Sequence, residues 1–306
     1  MRPSGRRPST SADSKASDSA AYYRRGMLIA PRGPLLQQRD LRASLAGDLE
    51  WRTMTTVLAF VFGTVVGSFL NVCIYRLPKE ESIVRPRSHC PACLTPIRPL
   101  DNLPLLSFLL LRGRCRACGA LIAWRYPLVE ALTGGLFAAT VARFGLGLDT
   151  AFLLAFLASL VVVSFIDLDH QIIPNAITLP GIPLGFVAGL LVGAPPLLDR
   201  LIGTLAGAGF LYLVLYYGGT LYGQEAMGEG DLNLIALIGA FLGWRAVVIT
   251  ILVGCLLGAT VGVGLIVLRR LSRRQHIPFG PFLALGAVVA LFWGEQLIAW
   301  YLGALR

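Results

Sequence analysis

The sequence predicts an all-α polytopic membrane protein of about eight transmembrane helices carrying a cytoplasmic four-cysteine loop domain of zinc type. Three observations lead there. Of 306 residues, 55% are hydrophobic and only 14% charged, with a mean hydropathy of +0.68, against roughly 25% charged in a soluble domain. The apolar residues gather into runs long enough to cross a bilayer, about 20 residues each. The basic residues collect between those runs, which is a topological pattern. An ordinary soluble domain is excluded, and so is a largely disordered chain. The formal net charge of +10 does not argue for nucleic acid, because the cations are not interleaved with aromatics along one stripe.

Residues 1–53 are rich in Ser, Arg, Pro, Asp and Ala and hold ten positive residues against five acids. That composition predicts an unstructured tail, and no apolar core of a secretory signal precedes Met54. From Thr55 onward, spans are expected at about 55–74, 127–145, 150–167, 177–194, 201–219, 232–244, 246–268 and 281–303. The chain thus divides into the tail, a first transmembrane helix over 54–74, a loop domain over 75–126, and a core of about seven helices over 127–306. The 37 residues of 232–268 are too many for one crossing, and Gly243-Trp244-Arg245 supplies a hairpin within them.

Loop charge sets the orientation. Residues 73–126 contain nine positive residues (Arg76, Lys79, Arg85, Arg87, Arg98, Arg112, Arg114, Arg116, Arg125) against three acids, which places them in the cytoplasm. Eight crossings then also put residues 168–176, 220–231 and 269–280 in the cytoplasm, the last with Arg269, Arg270, Arg273 and Arg274. The same count leaves the basic tail outside, against the rule. Met54 is therefore expected to begin the natural chain, leaving 17 positive and 12 negative residues after it.

The strongest metal signal is Cys90-Pro-Ala-Cys93, followed after 21 residues by Cys115-Arg-Ala-Cys118. Two such pairs in one cytoplasmic loop suit a structural Zn²⁺ held by four thiolates, which leaves no open coordination position for catalysis. Structural disulfides do not suit the reducing cytosol. Cys73 and Cys255 lie in apolar runs as ordinary core thiols.

The second signal is carboxylate placement. Asp167 ends the third span, with Asp169 close behind, and Asp231 opens the sixth after Gly228-Glu229-Gly230. Two facing aspartates can share a proton, one acting as base on water while the other polarises a peptide carbonyl. Glycines beside Asp231 let the backbone bend toward a partner. On the residues alone the alternative, that these aspartates cap helices or sit at the interface, stands equally open. Asp169, Glu225 and Glu229 are expected to be interfacial, and His89 and His170 to be solvated loop residues. No Gly-x-Ser-x-Gly elbow is present, and the glycine strings at 203–209 and 254–264 read as helix-packing faces.

A run of ordered motifs also resembles a known family. They are Gly67-Ser-Phe-Leu-Asn71 with Tyr75-Arg-Leu-Pro78, the two cysteine pairs, Asp101-Asn-Leu-Pro104, Arg112-Gly-Arg-Cys115 and Arg125-Tyr-Pro-Leu-Val-Glu130. They continue with Asp167-Leu-Asp-His-Gln-Ile-Ile-Pro174, Gly228-Glu-Gly-Asp231 and Pro278-Phe-Gly-Pro281. From about residue 62 to residue 285 the chain resembles the type IV prepilin peptidases, bifunctional inner-membrane leader peptidases and N-methyltransferases. The resemblance implies Asp167 and Asp231 as the catalytic pair. It implies cleavage of a short basic leader from prepilins or pseudopilins, after a Gly and commonly before a Phe, at the cytoplasmic face. It also implies S-adenosyl-L-methionine-dependent methylation of the new α-amino group, with the loop domain contributing. Asn175 stands where many relatives carry Asp, and residues 1–53 have no counterpart.

Two other readings of the residues compete. A transporter or proton channel would use the interfacial carboxylates but would want ionisable groups near the midplane. A zinc-loop scaffold would tolerate Asp231→Asn, whereas a peptidase would not. Membrane lipid is the expected surrounding partner, and oligomeric state is left open.

Overall fold

The computed structural model describes residues 35–222, 228–268 and 277–304. The tail residues 1–34, the interfacial candidate Glu225, and the topology markers Arg269, Arg270, Arg273 and Arg274 lie outside the described residues. The chain divides into two compact units, Met1–Glu50 and Trp51–Arg306. The described residues of the first unit, 35–50, are helical.

Helix α1 runs Leu35–Arg76, so over 35–53 the chain is helical where composition predicted an irregular tail. After Pro34 no proline interrupts a stretch of Leu, Gln, Arg and Ala, all good helix formers. Averaging composition over the whole tail concealed this local bias. Then come α2 (Leu106–Leu110), α3 (Arg125–Phe144), α4 (Leu148–His170), α5 (Asn175–Val192), α6 (Leu197–Tyr222), α7 (Glu229–Val267) and α8 (Gly280–Ala304). The described residues form no strands, only two isolated antiparallel bridges in the loop domain.

Among the described residues, six helical stretches are long and apolar enough to cross a membrane: Leu49–Lys79, Leu148–His170, Asn175–Val192, Leu197–Gly218, Glu229–Val267 and Gly280–Ala304. The eight crossings expected are not reached on this criterion, for two reasons. Helix α3 is diluted by Arg125, Glu130 and Arg143. Helix α7 counts once although it is broken at Gly243, which takes φ 78° and ψ 177°. That break falls where the sequence placed the hairpin, because only glycine enters this region without strain.

Helix α4 organises the interior. Its Phe156, Leu157, Leu160 and Val163 belong to one buried cluster with Leu234, Ile235, Leu237, Ile238 and Phe241 of α7 and Leu283, Ala284 and Ala287 of α8. Its Val161, Val162 and Ile166 belong to a second, with Leu70, Cys73 and Ile74 of α1 and Val129 of α3. A helix apolar all round is one buried on two sides, and α4 therefore ends as a fixed post. Helices α6 and α7 form the most extensive contact, with α7 and α8 next. They approach so closely that a Cβ added to Gly239 would clash with the backbone of Gly203, the small-residue packing that membrane helices use.

Arg200 of α6 is 2% exposed and spends its donors on backbone carbonyls. It donates to Pro195 at 2.9 Å, to Ala240 at 3.1 Å, and to Gly185 and Ala194. It thereby ties the end of α5 and the loop after it to α7 just before the Gly243 break. Arg200→Leu leaves several buried carbonyls unpaired and is expected to cost on the order of 3 kcal/mol, more than Arg200→Lys. Thermal unfolding in detergent reads this, and an unchanged midpoint for Arg200→Leu would refute the knot.

Candidate active site and metal centre

Asp167 sits in the last turn of α4, directly after buried Ile166, and is 5% exposed. The α4 helix then closes at Gln171 in a left-handed conformation, and Pro174 immediately precedes α5. Asp231 is the third residue of α7 and is 6% exposed. The two carboxyl groups come from elements 64 residues apart in sequence and interact electrostatically. Ile173 lies between their supports. A Cβ on Gly230 would come within 2.6 Å of it, and a Cβ on Gly280 within 3.2 Å.

Each aspartate is held by one oxygen. Asp167 Oδ2 accepts the Gly280 N–H at 2.8 Å, and a Cβ on Gly280 would meet that same oxygen at 2.8 Å. Only glycine lets the α8 N-terminus come this close, and a helix N-terminus favours negative charge. Asp231 Oδ2 accepts the Gly228 N–H at 3.3 Å, so the capping alternative raised by the sequence is present in the structure. The cap uses one oxygen alone. Asp231 Oδ1 is buried and has no hydrogen-bond partner among the described residues, so it is placed to accept a proton or a water hydrogen.

Around this pair lie groups the sequence reading left without a role. Arg125, at the start of α3, forms an ion pair with Asp169, two residues beyond Asp167. Asn233 Nδ2 donates to Asn175 Oδ1 at 2.9 Å, so the residue that departs from the family pattern ties α5 to α7. Gly280 was visible only as part of a motif, since a single N–H donor leaves no side-chain signal. His89 and His170 are exposed.

The four cysteines converge. Their sulfurs all lie within 4.8 Å of one another, with Cys90 and Cys118 at 3.9 Å. A tetrahedral metal with bonds of about 2.3 Å needs sulfurs roughly 3.8 Å apart, so the cluster can hold a metal ion. The two pairs are built alike. Cys90 N–H donates to the Thr95 carbonyl and Leu94 N–H to the Cys90 carbonyl, while Cys115 N–H donates to Ala120 and Gly119 N–H to Cys115. Bridges His89–Pro96 and Arg114–Leu121 close the two turns. Leu94 at φ 57° occupies the left-handed position that Gly119 fills at φ 71° in the other turn. The Thr95 hydroxyl, with smaller help from its amide and from Cys118 and Cys90, pulls the Cys93 thiol down to about 6. The Ala120 amide favours the Cys118 thiolate, but bonds to Cys93, burial and the remaining thiols outweigh it and push Cys118 up to about 11. Four thiolates this close need a cation among them. Asp101, held below the ordinary carboxylate range by hydrogen bonds from Arg116, ties the segment before α2 to the second turn.

Two family models match this chain. Residues 61–144 match the bacterial peptidase A24 N-terminal domain and residues 154–263 match the type IV leader peptidase family. A prepilin leader peptidase/N-methyltransferase of Aeromonas salmonicida (strain A449) is 40% identical over 290 residues, covering 87% of this chain and 99% of its own. A protein of the same name from Pseudomonas aeruginosa (strain PAO1) is 38% identical over 273 residues, covering 80% of this chain and 94% of its own. One from Myxococcus xanthus (strain DK1622) is 45% identical over 207 residues, 68% of this chain and 62% of its own. No solved structure matches. A helical membrane chain, two buried aspartates at helix ends and a four-cysteine loop thus meet relatives that span nearly its whole length, and the chain belongs to the prepilin leader peptidase/N-methyltransferase family.

Proposed function

We propose that this chain removes the short basic leader from type IV prepilins or type II secretion pseudopilins, with Asp167 and Asp231 as the catalytic pair. The observation that carries this reading is the pairing of two buried carboxyl groups, one of them with an uncommitted oxygen. At neutral pH such a pair holds one proton between its members and titrates as a unit. The ionised member takes a proton from water as the oxygen attacks the scissile carbonyl, and the protonated member donates a hydrogen bond to that carbonyl oxygen. Collapse of the tetrahedral intermediate breaks the C–N bond as a proton passes to the leaving amine. No acyl-enzyme forms and no metal takes part. The Gly280 amide keeps Asp167 oriented throughout.

Eight crossings, with α3 and the two halves of α7 each spanning, put this pair at the cytoplasmic face of the inner membrane. The nine cations of residues 73–126 support that orientation. The apolar segment of the substrate lies among the spans, and its binding energy orients the bond.

The four-cysteine cluster is read as a Zn²⁺ site that folds the loop domain and does no chemistry, because four thiolates leave no open position. S-adenosyl-L-methionine supplies the methyl group for the new α-amine, in keeping with the N-methyltransferase names of the relatives. With no strands among the described residues, its site is not of Rossmann type.

Asp167→Asn and Asp231→Asn, reconstituted with a prepilin, should each lose cleavage by at least about 100-fold while remaining folded; wild-type rates in either would sink the assignment. A wild-type product heavier than the cut pilin by about 14 Da, one methyl group, would show the second activity. Gly280→Ala drives a methyl into the Asp167 carboxylate and is expected to slow cleavage by about 10- to 100-fold with little change in KM. For the metal, elemental analysis should give one zinc per chain, lost in Cys90→Ser with Cys118→Ser. Full cleavage by a zinc-free, folded chain would leave the site purely structural to the loop, whereas zinc retained in the double variant would refute the ligand set.

A further inference from the structure

Residues 103–111 read Leu-Pro-Leu-Leu-Ser-Phe-Leu-Leu-Leu, the longest apolar stretch of the loop domain. Leu106, Leu109 and Leu110 are exposed, Leu110 at 78%, and so is Trp124 at 78%. Such a patch on a domain of about 50 residues requires a cover.

Its depth can be measured against the helices. The Leu105 N–H donates to Glu130 Oε2 at 2.8 Å. Glu130 lies five residues into α3 past Arg125, about 7.5 Å along the helix. It is also level with Gly67 of α1, where a Cβ would meet the Glu130 Cα at 2.8 Å. Gly67 lies nine residues before Arg76, the end of α1, roughly 14 Å along that helix. Helical side chains lean toward the N-terminus, which brings the Glu130 carboxylate part of the way back. The Leu105 amide then lies less than a turn inside the level of Arg125 and more than a turn inside that of Arg76. From that low point α2 climbs outward until Phe108 packs on Trp124, with ring centroids 4.9 Å apart.

The backbone at this low point is built for a dry environment. Pro104 has no N–H, and the Leu105 amide is taken by Glu130. Leu106 N–H donates to the Pro104 carbonyl at 2.6 Å, Ser107 to Leu103 at 3.0 Å and Leu109 to Leu105 at 3.1 Å. Irregular backbone survives at membrane depth only when its polar groups are met inside the protein. Leu105 itself has φ 59°, a strained conformation that its surroundings must hold. Exposed Arg112 and Arg114 follow immediately, cations suited to pair with lipid phosphates. An open surface depression lined by Phe108, Leu109, Arg112, Leu121 and Trp124 among others lies beside α2.

We propose that residues 103–111 form a shallow re-entrant wedge inserted in the bilayer leaflet on the side of the loop domain, latched at its tip by Glu130 and covered by phospholipid. The wedge rests on α1 crossing the membrane and not on the peptidase chemistry. It gives Glu130 and the Asp101-Asn-Leu-Pro104 motif a shared task, holding the metal loop down on the membrane surface beside α3.

The test uses the full chain in nanodiscs of phosphatidylethanolamine and phosphatidylglycerol. Leu110→p-benzoylphenylalanine, and in parallel Leu106→p-benzoylphenylalanine in case one fails to fold, are irradiated and read by intact mass. The expected result is a mass shift of one phospholipid, absent from Leu94→p-benzoylphenylalanine on the exposed face of a cysteine turn. No phospholipid adduct at 106 or 110, an adduct to a second chain, or equal lipid adducts at 94 would overturn the wedge. Because the readout involves no cleavage, it stands or falls apart from the peptidase reading.

Discussion

Two buried carboxyl groups that interact electrostatically dominate this structure, because burying charge costs several kcal/mol unless each group is held. The fold meets that cost with backbone. Asp167 is met by the first amide of α8 and Asp231 by the amide of Gly228. No cationic side chain touches either carboxylate among the described residues. A cation there would favour the ionised form of both groups, whereas backbone donors orient them without adding a full charge. The glycines at 228, 230 and 280 follow from the same requirement, since each marks a point where backbone approaches a carboxylate or Ile173.

Helix α4 converts that local arrangement into a fixed geometry. Packed on one side by α7 and α8 and on the other by α1 and α3, it cannot tilt without opening one of two cores. Its last turn carries Asp167, and the opening turns of α7 and α8 bring the groups that face it. The Arg125–Asp169 pair then ties the same turn to the entrance of α3, so the loop domain and the aspartate pair share one mechanical frame. A peptidase whose substrate arrives through the bilayer needs such a frame, because the bond must be presented to water that the lipid excludes.

The loop domain shows a different economy. Too small to bury a core, it uses two similar cysteine turns brought to one point, where a metal ion would replace hydrophobic mass. Small domains without staples are marginal, and here one side of the domain is also leucine-rich and lies against the membrane helices through Glu130.

Much of this was legible in the residues. Long apolar runs specify helices because lipid satisfies no backbone group, and paired cysteines specify a metal site because the ligand chemistry tolerates little else. The break at Gly243 and the placement of Asp167 and Asp231 at helix ends were readable for the same reason, and relatives of like sequence favour a peptidase over a transporter. What lay beyond the sequence was everything set by one backbone group meeting another element. The Gly280 amide on Asp167, the Glu130 carboxylate on Leu105 and the carbonyl cage of Arg200 leave no periodicity to read, and the helicity of residues 35–53 was hidden by averaged composition. Composition and spacing determined that the chain is a helical membrane protein with a four-cysteine loop, and ordered motifs pointed to its family. Tertiary packing alone decided which backbone amides hold Asp167 and Asp231 and that Asp231 Oδ1 is left without a partner among the described residues, because that depends on helix ends brought together from distant parts of the chain.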